Sequence, residues 1–118
     1  MLPSTPHLGN YMTDHPLLDR LRTEVLVSDG AMGTELQKRG LAPGACPEEF
    51  NISHPEVVEE IYSDYIAAGS DIITTNSFGG NRFRLKEYGF ERQVREFCKR
   101  AAELARGVCP ADRRAGPH

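Results

Sequence analysis

Two short apolar runs, separated by one segment with helical periodicity, constrain this sequence most. Glu24-Val25-Leu26-Val27-Ser28 and Asp71-Ile72-Ile73-Thr74-Thr75 are rich in β-branched residues, and turn-forming residues follow each. Neither run alternates strictly between apolar and polar. Both therefore predict strands buried on both faces of a parallel sheet. Parallel strands require a crossover, and the intervening segment supplies one. Ser53, Pro55 and Glu56 predict a capping-box start. Val57, Val58, Ile61, Tyr65 and Ile66 then recur near helical spacing, and Gly69 predicts a left-handed stop.

The flanking segments complete an α/β order. Leu17, Leu18 and Leu21 predict a helical turn ending near Thr23, and Thr34 to Lys38 a short helix stopped by Gly40. Leu41 to Asn51 is expected as loop, enforced by Pro43, Gly44 and Pro47. From Glu91 to about Arg106, Val94, Phe97, Cys98, Ala101, Leu104 and Ala105 line one face of a last helix, with Gly107 at its end. Residues 1–16 read as a disordered polar leader, 17–107 as the folded unit and 108–118 as an irregular tail.

Composition narrows the function classes. At 118 residues and 39% hydrophobic content the chain supports one modest core. A net charge of −3 offers no basic face for nucleic acid or an anionic membrane. No apolar run approaches the roughly 20 residues that span a bilayer, and no secretory signal is read at the start. Three cysteines leave one unpaired in any disulfide scheme, and none has a metal-ligand spacing to a histidine. A reduced, cytoplasmic chain is expected. Cys46 sits in a Pro-rich loop, Cys98 on the apolar stripe and Cys109 in the tail, so none reads as a nucleophile.

Candidate chemistry collects where the two strands end. In Ser28-Asp29-Gly30-Ala31-Met32-Gly33-Thr34, the carboxylate of Asp29 suits a substrate ammonium, and the glycines admit close backbone approach. The same residues also make an ordinary tight turn in which Asp29 accepts local amides. In Thr74-Thr75-Asn76-Ser77-Phe78-Gly79-Gly80, a hydroxyl, an amide and an aromatic ring suit a small polar ligand. Alternatively, Asn76 and Ser77 bond their own backbone while Phe78 covers the core. No proton-transfer pair, nucleophile–base pair or metal set is complete.

Taken together, Asp29-Gly30-Ala31-Met32-Gly33-Thr34, Glu49-Phe50-Asn51, His54 to Val58 and Ala68 to Gly80 resemble the homocysteine S-methyltransferase family. The likeness is to the N-terminal part of its homocysteine-binding domain, as in cobalamin-dependent methionine synthase and bacterial betaine–homocysteine methyltransferases. That resemblance implies a (β/α)8 TIM barrel, of which this chain holds about two βα units plus flanking helices. It also implies methyl transfer to the homocysteine thiol, giving methionine. Asp29 and Gly30 match residues holding homocysteine's amino-acid portion. Thr75 and Phe78 match residues lining that pocket, with Asn76 beside them.

In the family, zinc held by three cysteines on later strands binds the substrate sulfur and stabilises a thiolate. Cys46, Cys98 and Cys109 do not match those ligands. The chain is therefore expected to be a truncated piece, inactive alone. The methyl donor, methylcobalamin or betaine, is left open. Two alternatives accompany this reading: a noncatalytic βα remnant that self-associates through exposed strand edges, or a methyltransferase acting on another thiol.

Overall fold

The computed structural model describes residues 15–110. Nearly all of the expected leader, and residues 111–118 of the expected tail, lie outside that range. Six α-helices occur among the described residues: α1 (Pro16–Leu21), α2 (Gly33–Lys38), α3 (Phe50–Ser53), α4 (Pro55–Ala67), α5 (Arg82–Lys86) and α6 (Val94–Val108). Gly40 (φ 113°) and Gly69 (φ 114°) take up the left-handed backbone after α2 and α4, as their positions predict.

The expected strands are corrected by the structure. The two apolar runs lie side by side but join through a single parallel bridge, Ser28 with Ile72. Asp29 N–H donates to Ile72 O at 2.9 Å, and Ile72 N–H donates to Val27 O at 3.1 Å. Nor are both faces covered: Val25 is 92% and Val27 55% exposed. Ile73, on the second run, packs on the helical core. Among the described residues each run pairs only with the other and Val25 and Val27 stay exposed, so the runs lack what extends parallel pairing.

Local chemistry explains the other departures. No capping box forms at α4. Ser53 ends α3 instead, and its hydroxyl donates to the Glu49 carboxylate at 2.8 Å. His54 occupies the N-cap (φ −139°, ψ 58°) because a residue preceding proline is driven out of the helical region. The expected loop at Leu41 to Asn51 contains a 3-10 turn, Pro47–Glu49, opened by its proline and running into α3. Helix α6 passes through Gly107 and stops at Val108, where Cys109 turns extended ahead of Pro110. Asn81 caps α5 by accepting the Arg84 N–H at 2.9 Å.

The main core lies between α2, α3, α4 and α6, with Leu36, Phe50, Val58, Ile61, Tyr62 and Leu104 buried in it. A second cluster joins Cys46, Leu85 and Phe97, and Phe90 meets Phe97 edge to face at 5.3 Å. The predicted stripe on α6 thus feeds both clusters. Arg39, just past α2, ties that helix to α4 through Glu35 (2.7 Å), Glu60 (2.9 Å) and Asp64 (2.8 Å). The two loops of interest emerge from one end of this scaffold.

Candidate functional site

Asp29 staples the two apolar runs together. Its Oδ2 accepts the Thr74 N–H at 3.0 Å, while Oδ1 accepts the Thr74 hydroxyl at 3.1 Å and the Ser28 hydroxyl at 3.3 Å. These are not the local turn amides expected of Asp29: the amide it accepts belongs to Thr74, 45 positions away on the other run. A carboxylate offers about four acceptor directions, so roughly one remains for a ligand. Gly30 has a different close neighbour from the one anticipated. A Cβ there would sit 3.1 Å from the Tyr65 hydroxyl, which itself donates to Ala31 O at 2.6 Å. The glycine admits a tyrosine from α4 behind the end of the first run.

Asn76 is buried, and its side chain holds the fold. Its Nδ2 donates to Pro47 O at 2.9 Å and to Asn51 Oδ1 at 3.0 Å. Asn51 Nδ2 donates in turn to Asn76 O at 2.9 Å and to Phe97 O at 3.3 Å. This network joins the end of the second run, the Pro47 turn, α3 and α6. Beside it Glu48, 5% exposed, accepts the Gly79 N–H at 2.8 Å and a contact from Cys46 Sγ at 3.4 Å. The Thr75 and Ser77 hydroxyls bond each other at 2.6 Å.

Asp29, Gly30, Thr75, Asn76 and Phe78 come together around one open cavity of about 210 Å³, which Met32, Thr74 and Ser77 complete. A neighbouring cavity of about 300 Å³ shares Met32, Asn76 and Phe78 and extends toward Glu48 and Arg84. The two form one cleft at the ends of the paired runs. Phe78 does not cover the core; it stands 98% exposed at the rim. The cleft can receive a small polar ligand on hydroxyls and main-chain groups, with an aromatic ring at its mouth.

The burial of Glu48, Asn51 and Tyr62 was not expected from the sequence, although Asn51 stands in one of the motifs of the family resemblance. That of Tyr62 was accessible to sequence reasoning, since it follows Val58 by four residues on the buried face of α4. Nothing local in the sequence marks Glu48 or Asn51 as buried. The Tyr62 phenol is pushed up to about 12 by burial, and the Asp29 charge acts in the same direction. The Asn76 main chain counters part of this rise without reaching hydrogen-bond geometry.

The cysteines are separate. Burial pushes the Cys46 thiol up, and the Glu48 charge adds to that. Cys98, half-buried, bonds Gly80 O at 3.3 Å, and Cys109 is exposed. Among the described residues no three His, Cys, Asp or Glu side chains converge in a group that could hold a metal. No helix among them is long and apolar enough to cross a membrane.

Comparison with known proteins gives a consistent result. The profile of the family described as homocysteine S-methyltransferase matches residues 26–116. A methionine synthase of Mycobacterium tuberculosis (strain ATCC 25618 / H37Rv) is 38% identical over 106 residues, covering 83% of this chain and 9% of its own. That of Mycobacterium leprae (strain TN) is 39% identical over 108 residues, covering 85% and 9%. The chain therefore spans about a tenth of the length of these curated relatives. The crystal structure of the homocysteine methyltransferase MmuM from Escherichia coli, in its metallated form, superposes with a TM-score of 0.70 at 28% identity. That match covers 88% of this chain and 38% of MmuM.

Proposed function

The chain belongs to the homocysteine S-methyltransferase family, and we propose that its cleft binds the amino-acid portion of homocysteine, the methyl acceptor. The observation that carries this reading is the cleft itself. The five residues implied by the family resemblance border one cavity at the ends of the paired runs. In this reading the remaining acceptor direction of Asp29 takes the substrate ammonium. The Thr75 and Ser77 hydroxyls bond polar groups of the ligand, and Phe78 shields them from water.

The paired runs and their helices are then two units of a (β/α)8 barrel, whose further strands would cover Val25 and Val27. Likeness to MmuM over 88% of the chain supports this. The described residues do not fit the zinc that the family resemblance implies, so no step of thiol activation is routed through them. Their part is to bind and orient the acceptor. The donor, methylcobalamin or betaine, is not read by these residues. A cytoplasmic setting belongs to the same reading and rests on three free thiols.

Calorimetric titration of the chain with L-homocysteine and with its des-amino analogue tests the assignment. Binding that requires the ammonium supports it, and equal binding of the two compounds contradicts it. A second reading, self-association without catalysis, is favoured by the 92% exposure of Val25 on a paired edge. Sedimentation decides that reading: a monomer at all concentrations removes it.

A further inference from the structure

We propose that Glu48 is a positioning residue for the cleft: its buried carboxylate fixes the turn after the second apolar run and thereby aims Phe78. A buried carboxylate is costly unless its lone pairs are used, and Glu48 takes part in none of the ion pairs among the described residues. Its bonds go instead to Gly79 N–H at 2.8 Å and, weakly, to Cys46 Sγ at 3.4 Å. The first is a charge-assisted bond to main chain, the stronger kind.

Residue 79 is matched to this partner. A Cβ there would lie 3.2 Å from Glu48 Oε2 and 3.3 Å from Oε1, so the carboxylate rests directly against the glycine. One residue earlier, Pro47 O accepts the Asn76 side chain at 2.9 Å. The Pro47-Glu48 pair therefore grips the turn at Asn76 and again at Gly79. Phe78 lies between those grips and, at 98% exposure, gains little support from packing. Its direction is set by the backbone that Glu48 and Pro47 hold.

Amide hydrogen exchange on the full chain tests this without any ligand. Glu48→Ala is expected to speed exchange at Gly79 by about ten- to a hundredfold, the span of one hydrogen bond to a charged group. Amides within α4 should stay unchanged. Glu48→Gln keeps an acceptor oxygen and should restore most of the protection. Glu48→Asp keeps the charge but shortens the reach; it should match Glu48→Ala and serves if that variant does not fold.

Unchanged exchange at Gly79 in both Glu48→Ala and Glu48→Asp overturns the proposal. So does acceleration spread equally through α4, which would make Glu48 a general stability residue. A homocysteine titration forms the second arm and rests on the function proposed above, with affinity expected to fall in Glu48→Ala and recover in Glu48→Gln. Selective exchange at Gly79 with no homocysteine binding by the unaltered chain would remove that function while upholding the positioning role.

Discussion

Asn51 and Asn76, 25 positions apart, bond each other: Asn76 Nδ2 donates to Asn51 Oδ1 at 3.0 Å, and Asn51 Nδ2 donates to Asn76 O at 2.9 Å. Both side chains are buried, so removing one deletes hydrogen bonds that water does not readily replace. Asn51→Ala is expected to cost about 2–4 kcal/mol, since it removes three buried bonds at once, to Asn76 O, to Phe97 O and from Asn76 Nδ2, which keeps only its bond to Pro47 O. Urea unfolding of Asn51→Ala, Asn76→Ala and the double variant measures this. The double variant should cost less than the sum of the singles, because the pair acts as one unit.

Tyr62 makes the fold sensitive to alkali. Its phenol is pushed up to about 12 in the folded chain, whereas an unfolded phenol ionises near 10. A raised value means the stabilisation is complete below about pH 10 and is lost as pH rises toward 12. Phenolate absorbance should therefore show one tyrosine ionising late, together with loss of helical signal. Tyr62→Phe should remove that coupling while changing stability at neutral pH by less than about 1 kcal/mol, since the hydroxyl has no hydrogen bond to lose.

At the acid end the Arg39 cluster sets the direction. Hydrogen bonds from Arg39 and Lys38 hold the Glu35 carboxyl below its usual range. A depressed value contributes stability above the ordinary glutamate pKa and loses it as pH falls through the lowered one. Arg39→Gln should flatten the acid limb of the stability–pH curve, measured by thermal unfolding from neutral pH downward. An unchanged acid limb would mean that the Arg39 ion pairs do not hold Glu35 down.

The three thiols should separate by reactivity. Cys109 is exposed, Cys98 half-buried and Cys46 buried with its thiol pushed up. Iodoacetamide followed by mass spectrometry should modify Cys109 first and Cys46 last, the latter only at the rate of unfolding. Rapid modification of Cys46 in the folded chain would contradict its place in the second core cluster.

Much of the helical frame was legible because it is local. Pro55, the apolar repeat from Val57 to Ile66 and Gly69 define α4 from adjacent residues alone, and the stripe from Val94 to Ala105 defines α6. The strands were less legible. An apolar run states that a segment would be buried in a sheet, but neighbours elsewhere in the chain decide whether it is, and among the described residues Val25 stays 92% exposed. The five candidate site residues do share one cavity. Their bonding could not be read, because Asp29 meets Thr74 across 45 positions and Glu48 meets Gly79 across 31. Asn51 entered only as part of a resembling motif, and the burial of Glu48 and Asn51 was not legible, because a polar residue in a turn gives no sign that the next segment will cover it.

The central claim, that the cleft receives the amino-acid portion of homocysteine, is tested most directly by titrating isotope-labelled chain with L-homocysteine and following its backbone amide signals. The account predicts saturable shifts at Gly30, Met32, Thr75, Asn76 and Phe78, weakened in Asp29→Ala. Shifts centred instead on the apolar cavity at the opposite end, around Leu17, Ile66 and Cys109, or no saturable shift at all, would contradict it.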